Sequence, residues 1–517
     1  MVSGMNMTRR QFLIGGAAFL SLGAFAGNRF ILAAAGFKAG GKPRLKFGVL
    51  SDIHILRIGA DEKMSGAGNN LTFKHALEWF RSQDVDAVVI AGDMADKGLD
   101  ENLMAVAEAW YSVFPGDKYP DGRPVEKVFV TGNHDWIGWT YGRAAEKKYP
   151  DKAELVKHVL QCDMASWWDK AFHAQYSPIY SKTINGYTFI GSHWDGVQAG
   201  RSNTGAGFGL VEKFMADNGK SIDPSLPFFY VQHPHLKDTC YGPWAWGRDA
   251  GIATKTLSAF PNAIAFSGHS HYSLTDERSI WQGAFTSVGT GSLRYTGLPY
   301  DEFPPEGFEN TIATGKDAWR LDAQKTRLKI SGDDCRSGML WSVYDDCIVV
   351  KRREFVSDLD LGPDWVMPLP AAESRPFAFA EHAKKLRAPE FPGDAALSVV
   401  RQDVKIRGGK SKNGKESIPA DSKPGFKITA PPVRHDPSAR LYALEFTAIS
   451  ADGKRCTKRV IAEGFNHSLK HKKAKSKQWC YFRREELGEG DVRFSATPLN
   501  CFGARGRAIE KVEKMKG

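Results

Sequence analysis

Five short clusters of Asp, Asn and His carry the most legible chemistry in this 517-residue chain: Ser51-Asp52-Ile53-His54, Gly92-Asp93, Gly132-Asn133-His134-Asp135, Gln232-His233-Pro234-His235 and Gly268-His269-Ser270-His271. One of them alone says little, because paired histidines at a strand end are more often solvated than bound to anything. Repetition changes the weight. Neutral imidazoles and carboxylates together suit Mn, Fe or Zn, and a carboxylate can bridge two ions. Two such ions, roughly 3.5–4 Å apart, would clamp a phosphoryl group during displacement.

Each cluster directly follows an apolar run with the length of a buried strand: Arg44–Leu50, Val85–Ile90, Val125–Val130, Pro227–Val231 and Ala263–Phe266. Between the first three runs, Phe73, Ala76, Leu77 and Phe80 recur at helical spacing, as do Leu103, Val106, Ala107 and Trp110, with Asn70 as a candidate N-cap. Alternation of strand and helix predicts an α/β core with parallel strands. In open α/β sheets the ligand site lies in the crevice beyond the carboxyl ends of the strands. Clusters at five such ends can therefore converge on one point. Pro178–Ser192 holds Asn185-Gly186 between two strand-like runs, a strong hairpin signal.

In this order and at these separations the clusters resemble the motifs of the calcineurin-like metallophosphoesterase superfamily, over roughly residues 45–355. The resemblance implies an α/β fold, a two-sheet sandwich flanked by helices, with a dinuclear site at the strand ends. Carried over position by position, it assigns Asp52, His54, Asp93 and His271 to one divalent ion. Asp93, Asn133, His233 and His269 go to the other, so that Asp93 is shared. It further implies attack by a metal-bridged hydroxide on a phosphate ester. His134 would contact a phosphoryl oxygen or protonate the departing alkoxide, and Asp135 would orient its ring.

Other residues are weighed against blander roles. His75 sits on a helix and reads as structural, and so does His193 at the end of a hairpin strand. His235 reads equally as a substrate contact or a structural residue. Cys240–Gly251 reads equally as a substrate-covering loop or a packed insertion, and Asp96 as a loop-fixing residue. The chain shows no separate arginine cluster to hold a dianionic monoester, though Arg57 or Arg248 could do so.

The ends of the chain add expectations. Met7–Gly27 places Arg9 and Arg10 before a short Gly- and Ala-rich apolar stretch, which resembles a twin-arginine export signal over residues 1–35, with Leu32–Gly36 as a cleavage region. That implies a periplasmic or otherwise exported protein with no transmembrane span in the mature chain. Seven cysteines are too few for a disulfide scaffold, and none forms a CxxC pattern. Cys335 and Cys347 flank a hairpin that turns at Asp345-Asp346, without an assignable bridge. Residues 356–390 read as a Pro- and Ala-rich linker. Residues 391–510 read as a small all-β sandwich resembling fibronectin type III, with a hairpin at Asp452-Gly453. The formal charge of +11 is read as solvated basic surface, including Lys405–Lys415 and Lys470–Lys477, because no aromatic interleaving supports a nucleic-acid platform. The expected activity is phosphodiester hydrolysis. A monoesterase, a pyrophosphatase of the same fold, or a non-catalytic binding protein are the alternatives.

Overall fold

A computed structural model describes residues 41–55, 69–96, 98, 100–137, 163–194, 209–242, 245, 247–296, 335–406, 409–410, 417–418 and 421–514. The export-signal region and Arg57 lie outside these. The strands of the first part of the chain are β1 (Leu45–Leu50), β2 (Ala87–Ala91), β3 (Glu126–Val130), β4 (Ile179–Ile184), β5 (Tyr187–Ser192), β6 (Phe228–Val231) and β7 (Ala263–Ser267). They continue with β8 (Ile280–Gln282), β9 (Thr286–Gly289), β10 (Ser337–Val343), β11 (Cys347–Glu354), β12 (Leu359–Asp360) and β13 (Trp365–Pro368).

Two mixed sheets result. The first runs β12-β11-β10-β1-β2-β3, with β13 also on β11; the second runs β4-β5-β6-β7-β9-β8. Parallel pairing joins β1 to β2 and β2 to β3, with Val49 opposite Val89 and Val89 opposite Val128. It also joins β5, β6, β7 and β9 in succession. Strands buried on both faces should read as continuous apolar runs. These do, because Phe47, Val49, Val89, Phe189, Phe229, Phe266 and Trp341 fill the space between the sheets. Phe47 and Trp341 stack there with centroids 5.8 Å apart. Each such side chain taken fully from water contributes roughly 1.5–3 kcal/mol.

Helices Asn69–Ser82, Asp100–Val113 and Met164–Phe172 cover the outer face of the first sheet, burying Phe73, Phe80, Trp110 and Phe172. Helices Leu210–Asn218 and Ile252–Leu257 cover the second. The layers are therefore helix, sheet, sheet, helix. Asn70, expected as an N-cap, lies inside the first turn of a helix that starts at Asn69. The Asn185-Gly186 hairpin forms with both residues at positive φ (48° and 84°), the twist that two-residue hairpins need.

Residues 356–390, expected as a linker, are instead part of the fold. β13 pairs with β11, placing Val349 opposite Val366, and buries Trp365 and Met367 in the inter-sheet core. Prolines hid it, yet Pro368 ends an edge strand, where the missing N–H costs no ladder bond.

The C-terminal part is all-β. Ser398–Arg401, Gly425–Ala430 and Gln478–Arg483 form one antiparallel sheet. Arg455–Ile461, Ala443–Ser450, Val492–Leu499 and Ile509–Glu513 form another. Phe426, Ile428, Leu444, Phe446, Phe482 and Phe494 share one core between them. This part rests on the segment that follows His271. Thr275 Oγ1 donates to the Phe465 carbonyl at 2.6 Å, and the Arg278 guanidinium lies 5.2 Å from the Tyr442 ring centroid. Phe502 packs on Phe379 and His382. No disulfide joins any two of the described cysteines, Cys335 and Cys347 included. Among the described residues no helix is long and apolar enough to cross a membrane.

Candidate metal centre

The parallel ladders continue past the strand ends as single backbone bonds that lock the loops together. Asp52 N donates to Gly92 O at 3.0 Å, His54 N to Asp93 O at 2.9 Å and Gly268 N to His233 O at 2.8 Å. Five expected ligands occupy left-handed backbone: Asp52 (φ 52°), His54 (51°), Asp93 (52°), His269 (73°) and His271 (57°). For a residue with a Cβ this conformation costs roughly 1–2 kcal/mol. Such strain collects where the surrounding structure must aim a side chain. Two glycines make room for the cluster. A Cβ at Gly92, itself at φ +87°, would lie 2.4 Å from His233 Nδ1, and one at Gly132 would lie 2.3 Å from Asp93 Oδ1.

All seven expected ligands are buried, and six of them come together in two groups. Asp52, His54, Asp93 and His271 form one group whose ligand atoms lie within 4.8 Å of one another, and Asp93, His233 and His269 form a second. Asp93 belongs to both. Its Oδ2 lies 3.6 Å from His54 Nε2 and 3.1 Å from His233 Nε2. The imidazoles meet through their nitrogens: His54 Nε2 and His271 Nε2 are 3.1 Å apart, as are His233 Nε2 and His269 Nδ1. Asn133 Oδ1 is buried with no hydrogen-bond partner. Its neighbour His134 donates its backbone N–H to Asp93 Oδ1 at 2.8 Å. Converging nitrogens and carboxylates are a donor set that divalent cations accept, so the residues fit the metal ions that the resemblance implied.

Neighbouring groups set which ring nitrogen faces inward. His233 Nδ1 is 2.8 Å from Ala91 O, and His271 Nδ1 is 3.1 Å from Tyr295 O. His54 Nδ1 is 3.3 Å from Asp96 Oδ1. In each case Nε2 is left for the site. Charge is balanced internally. Burial would raise the carboxyls of Asp52 and Asp93, but His271 beside the first and His233 beside the second outweigh it and hold both well below the usual range. Burial opposes charge on His54 and His233 as well. Carboxylate contacts overcome it, pushing His54 up to about 10 and His233 up to about 9. His269 moves the other way, to about 3, through burial and the charge of His233.

One expected role is corrected. Asp135 does not orient His134. It is buried, and its oxygens accept from Gly132 N (2.7 Å), Ala95 N (2.7 Å) and Met94 N (3.4 Å), pinning the β2 and β3 loops together. His134 Nδ1 instead faces the backbone carbonyl of Asp96 at 3.0 Å. Asp96 is thus the residue that sequence reasoning undervalued, holding one ring by its carboxylate and another by its carbonyl. The only hint was its place three residues after Asp93.

The residues left open also resolve. His235 is sealed in, with Nδ1 2.9 Å from Ser267 Oγ and Nε2 2.5 Å from Ser270 Oγ, so it braces the His269 loop and does not face substrate. His193 accepts from Thr131 N at 3.0 Å among Trp168, Tyr176 and Tyr180. His75 is a partly exposed partner of Asp358. Arg248 donates to the Ala245 carbonyl at 3.3 Å.

A family model described as calcineurin-like phosphoesterase matches residues 45–273, the stretch that contains every expected ligand. This segment is a calcineurin-like phosphoesterase domain. With the ligand groups above, the chain is a metal-dependent phosphoester hydrolase acting on a phosphate ester. Among solved structures it is similar to a dimetal phosphatase from Danio rerio, at 13% identity over 63% of this chain and 99% of that one, with a TM-score of 0.35. It is also similar to a purple acid phosphatase from yellow lupin (Lupinus luteus) seeds, at 14% identity over 62% of this chain and 53% of that one, with a TM-score of 0.36. Comparison with curated proteins gave no match.

Proposed function

We propose that the chain is an exported phosphoesterase working with two divalent ions, and that it favours phosphodiesters. One observation carries the dinuclear reading: the Asp93 carboxylate belongs to two separate ligand groups, with Oδ2 3.6 Å from His54 Nε2 in one and 3.1 Å from His233 Nε2 in the other. Asp52, His54, Asp93 and His271 would hold one ion, and Asp93, Asn133, His233 and His269 the other. Mn, Fe and Zn all accept this set. When bound, such ions polarise the phosphoryl oxygens and lower the pKa of an attacking water.

The chain's own residues do the rest. Asp96 fixes His134 through Nδ1, which leaves Nε2 as the atom that exchanges a proton with the ester oxygen. Asp135 keeps the β2 and β3 loops in register, so that Asp93 and His134 stay aligned. A diester brings one negative charge and, when its leaving group is an unactivated alkoxide, relies on that proton donor. Arg248, one candidate clamp for a dianionic monoester, is engaged with Ala245. Aryl monoester and diester substrates, assayed on the Mn²⁺- or Zn²⁺-loaded protein, test the preference. Diesterase activity should at least equal monoesterase activity. A monoester kcat/KM larger by about 100-fold, near 2.7 kcal/mol, would contradict it.

Export rests on the Arg9-Arg10 signal. Replacing both with Lys should hold the precursor in the cytoplasm, and normal export of that variant would contradict the reading. The fibronectin type III-like reading of residues 391–510 rests on two antiparallel sheets sharing one core. Recovering the strand order of that fold in an experimental structure of the C-terminal part would test it.

A further inference from the structure

Tyr295 is an exposed aromatic residue set against a candidate metal ligand. Its ring centroid lies 4.3 Å from that of His271 with the planes tilted by 40°, and the residue is 44% exposed. Its backbone is fixed. Ser292 Oγ accepts from Arg294 N at 3.0 Å and from Tyr295 N at 3.3 Å, and the Tyr295 carbonyl faces His271 Nδ1 at 3.1 Å. That orienting contact uses only the carbonyl, which any residue would supply. Nearly half of the residue stays in water, so the ring is open to a ligand on part of its surface. The other exposed large apolar residues among those described are Leu71, Val356, Val400 and Val512. All four are aliphatic, and none belongs to the ligand groups or their hydrogen-bonded partners given above.

The geometry points to Tyr295 as the platform for the organic group of the substrate, which would be a phosphoester bearing a planar aromatic or heteroaromatic substituent. This rests on the phosphoesterase reading above. With a phosphoryl group at the metal ions, its ester substituent projects toward the rim, and the ring beside His271 offers a face there. Offset stacking of two aromatic groups adds about 0.5–1.5 kcal/mol beyond the area it buries. An alkyl substituent of similar size gains only the burial. The platform would thus set the preference among esters without taking part in the bond cleavage, which stays with the metal ions and His134.

Phenylphosphonate and methylphosphonate are not hydrolysed, so their binding to the Mn²⁺-loaded full chain can be measured by titration calorimetry without turnover. The wild-type protein should bind the phenyl compound more tightly. Tyr295→Leu should cut that phenyl-over-methyl preference by about 5- to 10-fold, and Tyr295→Phe should keep most of it. An equal weakening of both ligands by Tyr295→Leu, or a loss of bound metal in that variant, would overturn the inference. The ring would then only shield His271. Failure of the metal-loaded wild-type protein to bind either phosphonate would overturn the phosphoesterase reading itself, and the inference with it.

Discussion

His134 and Asp135 are neighbours with separate tasks, and two substitutions separate them. His134→Ala removes the group proposed to move a proton but none of the proposed ligands. It should lower kcat by about 10²–10⁴ while elemental analysis still finds the wild-type metal content. Asp135→Asn replaces one carboxylate oxygen with an NH₂ that cannot accept from Gly132 N or Ala95 N. A buried amide N–H left unpaired costs about 1–3 kcal/mol, so this variant should unfold at lower temperature. Its pH–rate profile should keep the wild-type shape. A changed profile with normal stability would restore Asp135 as the partner of His134. Sequence reading found both residues but misjudged their link. Adjacency in a motif says nothing about where two side chains point on a five-residue helix such as Asn133–Ile137.

Elements were legible where burial is two-sided. The continuous apolar runs of β1, β2, β3, β6 and β7 announced themselves, and so did the helices over the first sheet. β13 did not, because its prolines resemble a linker and its alternation of Trp365 and Met367 covers only four residues. That strand matters to the Glu277 turn. Trp365 Nε1 donates to Glu277 Oε2 at 2.7 Å, and Arg352 Nη1 on β11 donates to Glu277 Oε1 at 2.8 Å. Burial would raise the Glu277 carboxyl, but the Arg352 charge and the hydrogen bonds from His382 and Trp365 bring it down to about 2. A carboxyl depressed on folding contributes stability above its unfolded pKa of about 4.5, and that contribution fades as pH falls toward 2. The wild-type protein should therefore lose about 3 kcal/mol across that window from this group. Denaturant titrations should show a shallower acid slope for Glu277→Gln. Equal slopes would mean that the turn is not held by its charge.

At the scale of the whole molecule, the C-terminal sheets are a buttress and not an appendage. The segment after His271 is buried as far as Asp276, and its far end leans on the C-terminal part through Thr275 with Phe465 and Arg278 with Tyr442. Arg278 and Asp276 are themselves a buried bidentate pair, with Nε to Oδ1 at 2.8 Å and Nη2 to Oδ2 at 2.6 Å. A chain ending at Glu390 would open this pair to water and leave Phe379 and His382 uncovered. It should be markedly less stable than the full chain and hold metal less well. Thermal unfolding and metal content equal to those of the full protein would show the two parts to be independent. None of this contact was legible, because the two surfaces lie nearly 200 residues apart and neither carries a motif.

The claim beneath all of this is that one carboxylate joins two metal sites. Elemental analysis of purified wild-type protein and Asp93→Ala, with His75→Ala as a control away from the cluster, tests it most directly. The account predicts two divalent ions per chain in the wild type and in His75→Ala, and fewer than one in Asp93→Ala. Two ions retained by Asp93→Ala would contradict it.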